Sequence, residues 1–170
     1  MNSALTAAQK DHTIEETARY IALANDLYQT NFPTIPVYFD LTGHTIGMYK
    51  VSPHKKIIRY NELVFNKYFD ENIKETVPHE VAHYIIDMQF GLKKVRPHGV
   101  EWRSIMQGFG ANASRVARYD LTDIPKRRYS TIEYKCACQK HQLGIRRHNK
   151  VIQGKTNYTC RHCGSLLKVV

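Results

Sequence analysis

The stretch Pro78–Trp102, PHEVAHYIIDMQFGLKKVRPHGVEW, carries three histidines: His79, His83 and His98. Residues four apart on an α-helix lie one turn apart on the same face, so His79 and His83 can meet one ion. Glu80 projects beside them, where it can reach a coordinated water without ligating the metal. H-E-x-x-H is the layout of zinc peptidases, and the chemistry explains the residue types. Neutral imidazoles leave most of the positive charge on zinc, which lowers the pKa of a coordinated water to about 7. A glutamate then accepts the proton and passes it to the leaving amine. With 9 His in 170 residues, such a motif arises by chance about once in fifty chains. The mostly apolar run Val81–Ile86 argues against chance, because polar side chains on a buried helix need partners.

A catalytic zinc site takes a third protein ligand and keeps one position open. Residues 84–90, YIIDMQF, offer no histidine. His98 is the next one, and the GLKKVRP connection lets the following helix bring it back. Gly99 permits close backbone approach, and Trp102 anchors the helix in the core. Glu101 is the competing ligand, as in two-histidine, one-glutamate sites. Tyr84 and Tyr119 are the candidates for stabilising an oxyanion.

Working outward, HTIEETARYIALANDLYQT reads as an amphipathic helix with Ile14, Ala18, Ile21 and Tyr28 on one face, Thr13 and Glu16 as a capping box, and Pro33 and Pro36 as its stop. PVYFD, GHTIGMYKV and KKIIRYN are short, β-branched and aromatic, and separated by Gly or Pro, which predicts a three-stranded antiparallel sheet. Asp70–Phe90 is helical in pattern, with Pro78 implying a kink or a helix start just upstream. VEWRSIMQGF predicts a helix burying Trp102, Ile105, Met106 and Phe109. Asp120–Ser130 reads as a linker.

The formal charge of +10 is unevenly placed: residues 126–170 hold 11 of the 25 Lys and Arg and a single acid, Glu133, so they carry all of it. This asymmetry predicts two modules, 1–125 and 126–170. All four cysteines fall in the second. Cys160 and Cys163 form C-x-x-C, and Cys136 and Cys138 the tighter C-x-C, at a spacing suited to a structural zinc ribbon of two β-hairpins. His141 or His162 could replace one sulfur. Four thiolates around zinc leave the module at about +8. Its cations interleave with aromatics, including Tyr129, Tyr134 and Tyr158, a composition suited to sequence-independent nucleic-acid binding. Single-stranded DNA is favoured if Tyr134 or Tyr158 stacks on bases.

HEVAH followed fifteen residues later by HGVEW is similar to the SprT family and the related Spartan-type DNA-dependent proteases. The tail YKCACQKHQLGIRRHNKVIQGKTNYTCRHCGSLL resembles that of bacterial SprT. The resemblance implies an α+β fold: a small zincin-like metalloprotease core, with helices packed on a short three-stranded sheet, followed by a β zinc ribbon. It also implies zinc on His79, His83 and His98, with Glu80 as acid/base. The reading is therefore a zinc endopeptidase acting on nucleic-acid-bound or DNA-crosslinked proteins. The alternatives are a nucleic-acid-binding zinc protein with a structural or weakly active first site, and a hydrolase of non-peptide bonds. The N-terminus shows no secretory pattern and no apolar run reaches the ~20 residues of a membrane helix. A cytoplasmic monomer with no membrane association is expected.

Overall fold

The computed structural model describes residues 4–114 and 118–170 and divides into two compact units, Met1–Lys126 and Arg127–Val170. The first begins with helix α1, Ala7–Tyr28. Its cap is Thr6, whose hydroxyl accepts from the Gln9 N–H (3.2 Å) while the Gln9 side chain accepts from the Thr6 N–H (3.0 Å). The capping box expected at Thr13 and Glu16 is thus about two turns too late. The Ala-Ala-Gln-Lys run before it is itself strongly helix-forming. Thr13 lies mid-helix, fully buried, its hydroxyl donating to the Gln9 carbonyl at 2.8 Å. The buried face is Thr13, Thr17, Tyr20, Ile21 and Ala24, and Ile14 is 42% exposed. Threonines serve on this face because each hydroxyl is satisfied locally: Thr17 donates to the Thr13 carbonyl and meets the Tyr60 hydroxyl at 3.1 Å. Gln29, in the left-handed region, ends the helix before Pro33 is reached.

Three strands follow: β1 (Val37–Tyr38), β2 (Gly47–Ser52) and β3 (Lys55–Tyr60), in the order β1-β3-β2. β2 and β3 form an antiparallel hairpin, but β1 pairs with β3 in parallel, Val37 opposite Ile58. The sheet is therefore mixed rather than antiparallel. The connection 39–46 causes this. It passes the end of β3, where the Leu41 N–H donates to the Tyr60 carbonyl, and so enters β2 on the far side. Asn61 pins that loop by donating to the Gly43 and Thr45 carbonyls. β2 is left as an edge strand.

Asn61 also caps the short α2, Glu62–Lys67, which leads into α3, Phe69–Gln89. α3 runs straight through Pro78 in sequence, without a break. Proline removes one helical hydrogen bond, but Pro78 is buried and the packing around it outweighs that loss. Val77, Val81, Ala82, Tyr84 and Ile85 have no exposed surface and pack with Ile58, Tyr60, Phe65 and Met106 in one core. α4, Val100–Gly108, buries Trp102, Ile105 and Met106, and Phe109 follows them into the core. Beyond it, Lys67 binds the Asp120 carbonyl and Asp123, and Tyr68 stacks on Tyr119 at 4.4 Å.

The second unit contains β4 (Thr131–Lys135), β5 (Lys140–Gly144), α5 (Ile145–Ile152) and β6 (Lys168–Val169), with an antiparallel sheet ordered β5-β4-β6. Of the two expected hairpins, β4–β5 is complete. The second is reduced to the Thr159–Leu166 bridge, and β6 pairs back onto β4. α5 was not expected. It begins at Gly144 and ends before Gly154, whose φ of 66° suits glycine. The core is only Tyr134, Leu143, Cys160 and Leu167. No helix among the described residues is long and apolar enough to cross a membrane.

The two candidate faces of the first unit separate in one experiment. Ile85→Ala removes a side chain with no exposure and should cost about 2–5 kcal/mol. Ile14→Ala should stay within about 0.5 kcal/mol. Urea unfolding followed by Trp102, the only tryptophan and itself 1% exposed, reads both. Equal losses would contradict the packing described.

Candidate metal centres

α3 presents His79 and His83 one turn apart, and the loop before α4 brings in His98. Their Nε2 atoms form a nearly equilateral triangle: 3.2 Å for His79–His83, 3.1 Å for His83–His98 and 3.0 Å for His98–His79. A ring N–H points along one direction, so three nitrogens so arranged cannot each make a straight hydrogen bond to the next. They fit a cation instead. Zn–N bonds of about 2.0–2.1 Å at tetrahedral angles set ligand nitrogens about 3.3 Å apart, close to the spacing here. Burial, reinforced by the neighbouring imidazoles, pushes His79 down to about 3. Burial and then His98 push His83 down to about 4. Both are neutral at pH 7, with lone pairs available. Glu101 is not in this cluster of donor atoms; its carboxylate lies toward Gly99.

His98 has φ 55°, the left-handed region, which costs a non-glycine residue about 1–2 kcal/mol. The turn aims its ring at the other two histidines. Trp102, 1% exposed, forms the floor: its ring centroid is 4.8, 6.0 and 4.8 Å from those of His79, His83 and His98. Its indole N–H donates to the His79 carbonyl at 3.4 Å.

Glu80, 6% exposed, reaches β2, where one carboxylate oxygen accepts the Tyr49 backbone N–H at 2.6 Å. Burial raises its carboxyl to about 7 against the opposing pull of that N–H. Such close approach needs glycine at position 47. A Cβ there would fall 2.7 Å from the other Glu80 oxygen and 2.8 Å from the Thr76 methyl.

In the second unit the sulfurs of Cys136, Cys138, Cys160 and Cys163 lie within 4.8 Å of one another. Cys136 and Cys138 are 3.4 Å apart, and Cys138 and Cys160 3.7 Å. Zn–S bonds of about 2.3 Å give a tetrahedral edge of about 3.8 Å, so the set fits a four-thiolate site. His141 sits outside it, its Nε2 3.3 Å from the Cys136 sulfur. Tyr134 is 1% exposed, with its hydroxyl 3.0 Å from His148 Nδ1. It is a core residue and has no face for a base, contrary to the stacking expected of it. Tyr129, 67% exposed, and Tyr158, half-buried beneath Arg147, keep accessible rings.

Comparison with known proteins now bears on these centres. The SprT-like family matches residues 17–130, and the SprT-like zinc ribbon domain matches residues 130–170. The chain belongs to the SprT-like family. It is 36% identical over 144 residues to Protein SprT of Vibrio parahaemolyticus, covering 84% of this chain and 83% of that one. It is 34% identical over 166 residues to Protein SprT of Shigella boydii, covering 97% and 96%. With Protein SprT of Klebsiella pneumoniae the identity is 43% over 114 residues, 66% of each. No solved structure matches significantly.

In this SprT-like chain two recesses adjoin at His79. One, of about 210 Å³, is polar and includes His44, Glu75 and Asn112. The other, of about 420 Å³, is more apolar and includes Met48, Ile86, Leu92 and Val95. Gly47, His79 and Glu80 line both. Tyr84 and Tyr119 line neither. The Tyr84 hydroxyl donates to the Pro33 carbonyl, and burial beside Glu75 and Glu71 pushes Tyr119 up to about 12. Sequence reasoning missed Gly47, the Tyr49 N–H, and Trp102 as the triad's floor. A glycine inside a strand pattern was the available signal for close approach.

Gly47→Ala should therefore move Glu80. A double-mutant cycle with Glu80→Ala reads this through melting temperature alone. The alanine at 47 should lower the midpoint by several degrees with Glu80 present and by much less without it. Additive shifts would dissociate Gly47 from Glu80.

Proposed function

We propose that the chain is a zinc-dependent endopeptidase of SprT/Spartan type, acting in the cytoplasm on proteins bound or crosslinked to nucleic acid. The observation carrying this reading is a buried carboxylate, Glu80, next in sequence to one member of a three-imidazole donor set, with Glu80 and His79 lining two recesses. A purely structural site would be closed by a fourth protein ligand and would have no use for the carboxylate.

His79, His83 and His98 would hold the catalytic zinc, and the four cysteines a second, structural one. Bound there, zinc supplies Lewis acidity, polarising a peptide carbonyl and acidifying water. The residues do the rest. The Tyr49 N–H fixes one Glu80 oxygen, and Glu80 lines both recesses. The carboxyl, raised to about 7 by burial, is basic enough to take a proton near neutrality and acidic enough to give it to the leaving amine. Trp102 keeps water from the back of the triad.

The basic second unit supports the nucleic-acid part of the reading. Its cations neutralise phosphates, and Tyr129 and Tyr158 offer accessible rings, so single strands are the favoured form. The alternative, a nucleic-acid-binding zinc protein with an inert first site, predicts binding without cleavage.

One experiment separates them. Histone cleavage is followed with and without single-stranded DNA between about 50 and 200 mM salt. Wild type should cut, with DNA stimulation fading as salt rises. Glu80→Gln should lose about 100-fold or more while keeping both zinc ions. Full activity of Glu80→Gln would overturn the assigned base. DNA binding by a zinc-loaded wild type that cuts nothing would favour the alternative.

A further inference from the structure

The recesses around the triad differ in character along one line. The polar recess carries Glu75 and shares Gly47, His79 and Glu80 with the apolar one. The apolar recess in turn shares Arg96, Pro97 and His98 with a third, of about 360 Å³, that also includes Arg103. Through these shared residues the three recesses adjoin, the first polar with an acid, the second more apolar and the third basic, and we treat them as one groove.

We infer that this groove selects an extended peptide with a bulky apolar residue in the recess beside His83 and an acidic residue beyond it, at Arg96 and Arg103. The inference rests on the peptidase reading for its chemistry, but the selection itself is one of binding.

The middle recess is built for an apolar side chain. Ile86 is buried at its base, Val95 is half-buried, and Met48 and Leu92 stand 38% and 42% exposed at its mouth. An incoming leucine or phenylalanine would cover them. The volume falls in the range of sites that enclose most of a ligand group, so a large side chain fits where a small one leaves apolar surface wet. Desolvation of that size separates substrates by roughly 10- to 100-fold.

Charge sets the next position. Arg96 and Arg103 are exposed, and neither has an ion-pair partner among the described residues. The loop between α3 and α4 adds the exposed Lys93 and Lys94. One acid, Glu101, approaches this end at Gly99, so cations remain in excess. A solvent-exposed pairing of this kind changes preference by about 2- to 5-fold. The apolar contact therefore dominates, and the charge refines it.

Three quenched fluorescent peptides of one length test this, carrying Leu-Asp, Leu-Lys or Gly-Asp at the two positions. kcat/KM is measured with the zinc-loaded full chain, and Kd with zinc-loaded Glu80→Gln. Both should rank Leu-Asp over Leu-Lys, and Leu-Asp over Gly-Asp by the larger factor. Arg96→Glu with Arg103→Glu should reverse the Asp/Lys order while leaving Leu above Gly, a swap that mere loss of structure would not produce. Equal Kd values for the three peptides, or a charge order indifferent to the arginine reversal, would overturn the inference. Ranked binding to Glu80→Gln without turnover by wild type would sustain the inference and sink the peptidase reading. Unranked cleavage would do the opposite.

Discussion

Three imidazole nitrogens, held 3.0–3.2 Å apart beside one buried tryptophan, form an arrangement that suits a shared cation better than mutual hydrogen bonds. Most of the first unit serves that convergence. α3 must pass through Pro78 without breaking, because His79 follows directly and His83 lies one turn on. The chain must then return through a left-handed His98, and α4 must bury Trp102 beneath all three rings. Each is costly locally: a missing helical hydrogen bond, a residue at φ 55°, and three basic groups taken partly out of water. The apolar packing of α3 against α1, α4 and the sheet offsets these costs.

The same packing prepares Glu80. A carboxylate buried to 6% exposure resists ionisation unless something meets its charge. One backbone N–H from an edge strand does so in part. The compromise leaves a group poised near neutrality. Glycine at 47 makes this contact possible, and the same glycine lies where two recesses meet. The placing of the carboxylate and the shape of the recesses are thus linked through one residue without a side chain.

Much of this was legible in the sequence, for physical reasons that differ by residue. The spacing of His79 and His83 is a helical period, and the buried set Trp102, Ile105, Met106 and Phe109 follows the same period in α4. The four cysteines announce themselves by spacing and by charge context. The threonine face of α1 was hidden because hydropathy counts threonine as polar, whereas a helix satisfies its hydroxyl one turn back. The parallel pairing of β1 was hidden because strand patterns do not reveal which edge a connecting loop crosses. α5 was hidden because eight residues make barely more than two turns, and Arg146, Arg147 and Lys150 read as part of a basic surface. The basic neighbours of Tyr134 make it a candidate for stacking in the sequence, yet its strand alternation turns it into the four-residue core of the second unit.

That core is small for an independent fold, and a metal held by the four cysteines would add to its stability. Two centres of different donor chemistry in one chain allow a direct measurement of the central claim. Zinc-edge X-ray absorption of the metal-loaded protein should show an equal mixture of two environments, one with nitrogen or oxygen neighbours at about 2.0–2.1 Å and one with sulfur at about 2.3 Å. His98→Ala should remove the nitrogen-rich component and leave the sulfur shell intact. A sulfur-only spectrum in the unmodified protein, or a nitrogen-rich component that survives loss of His98, would contradict the triad as a metal centre.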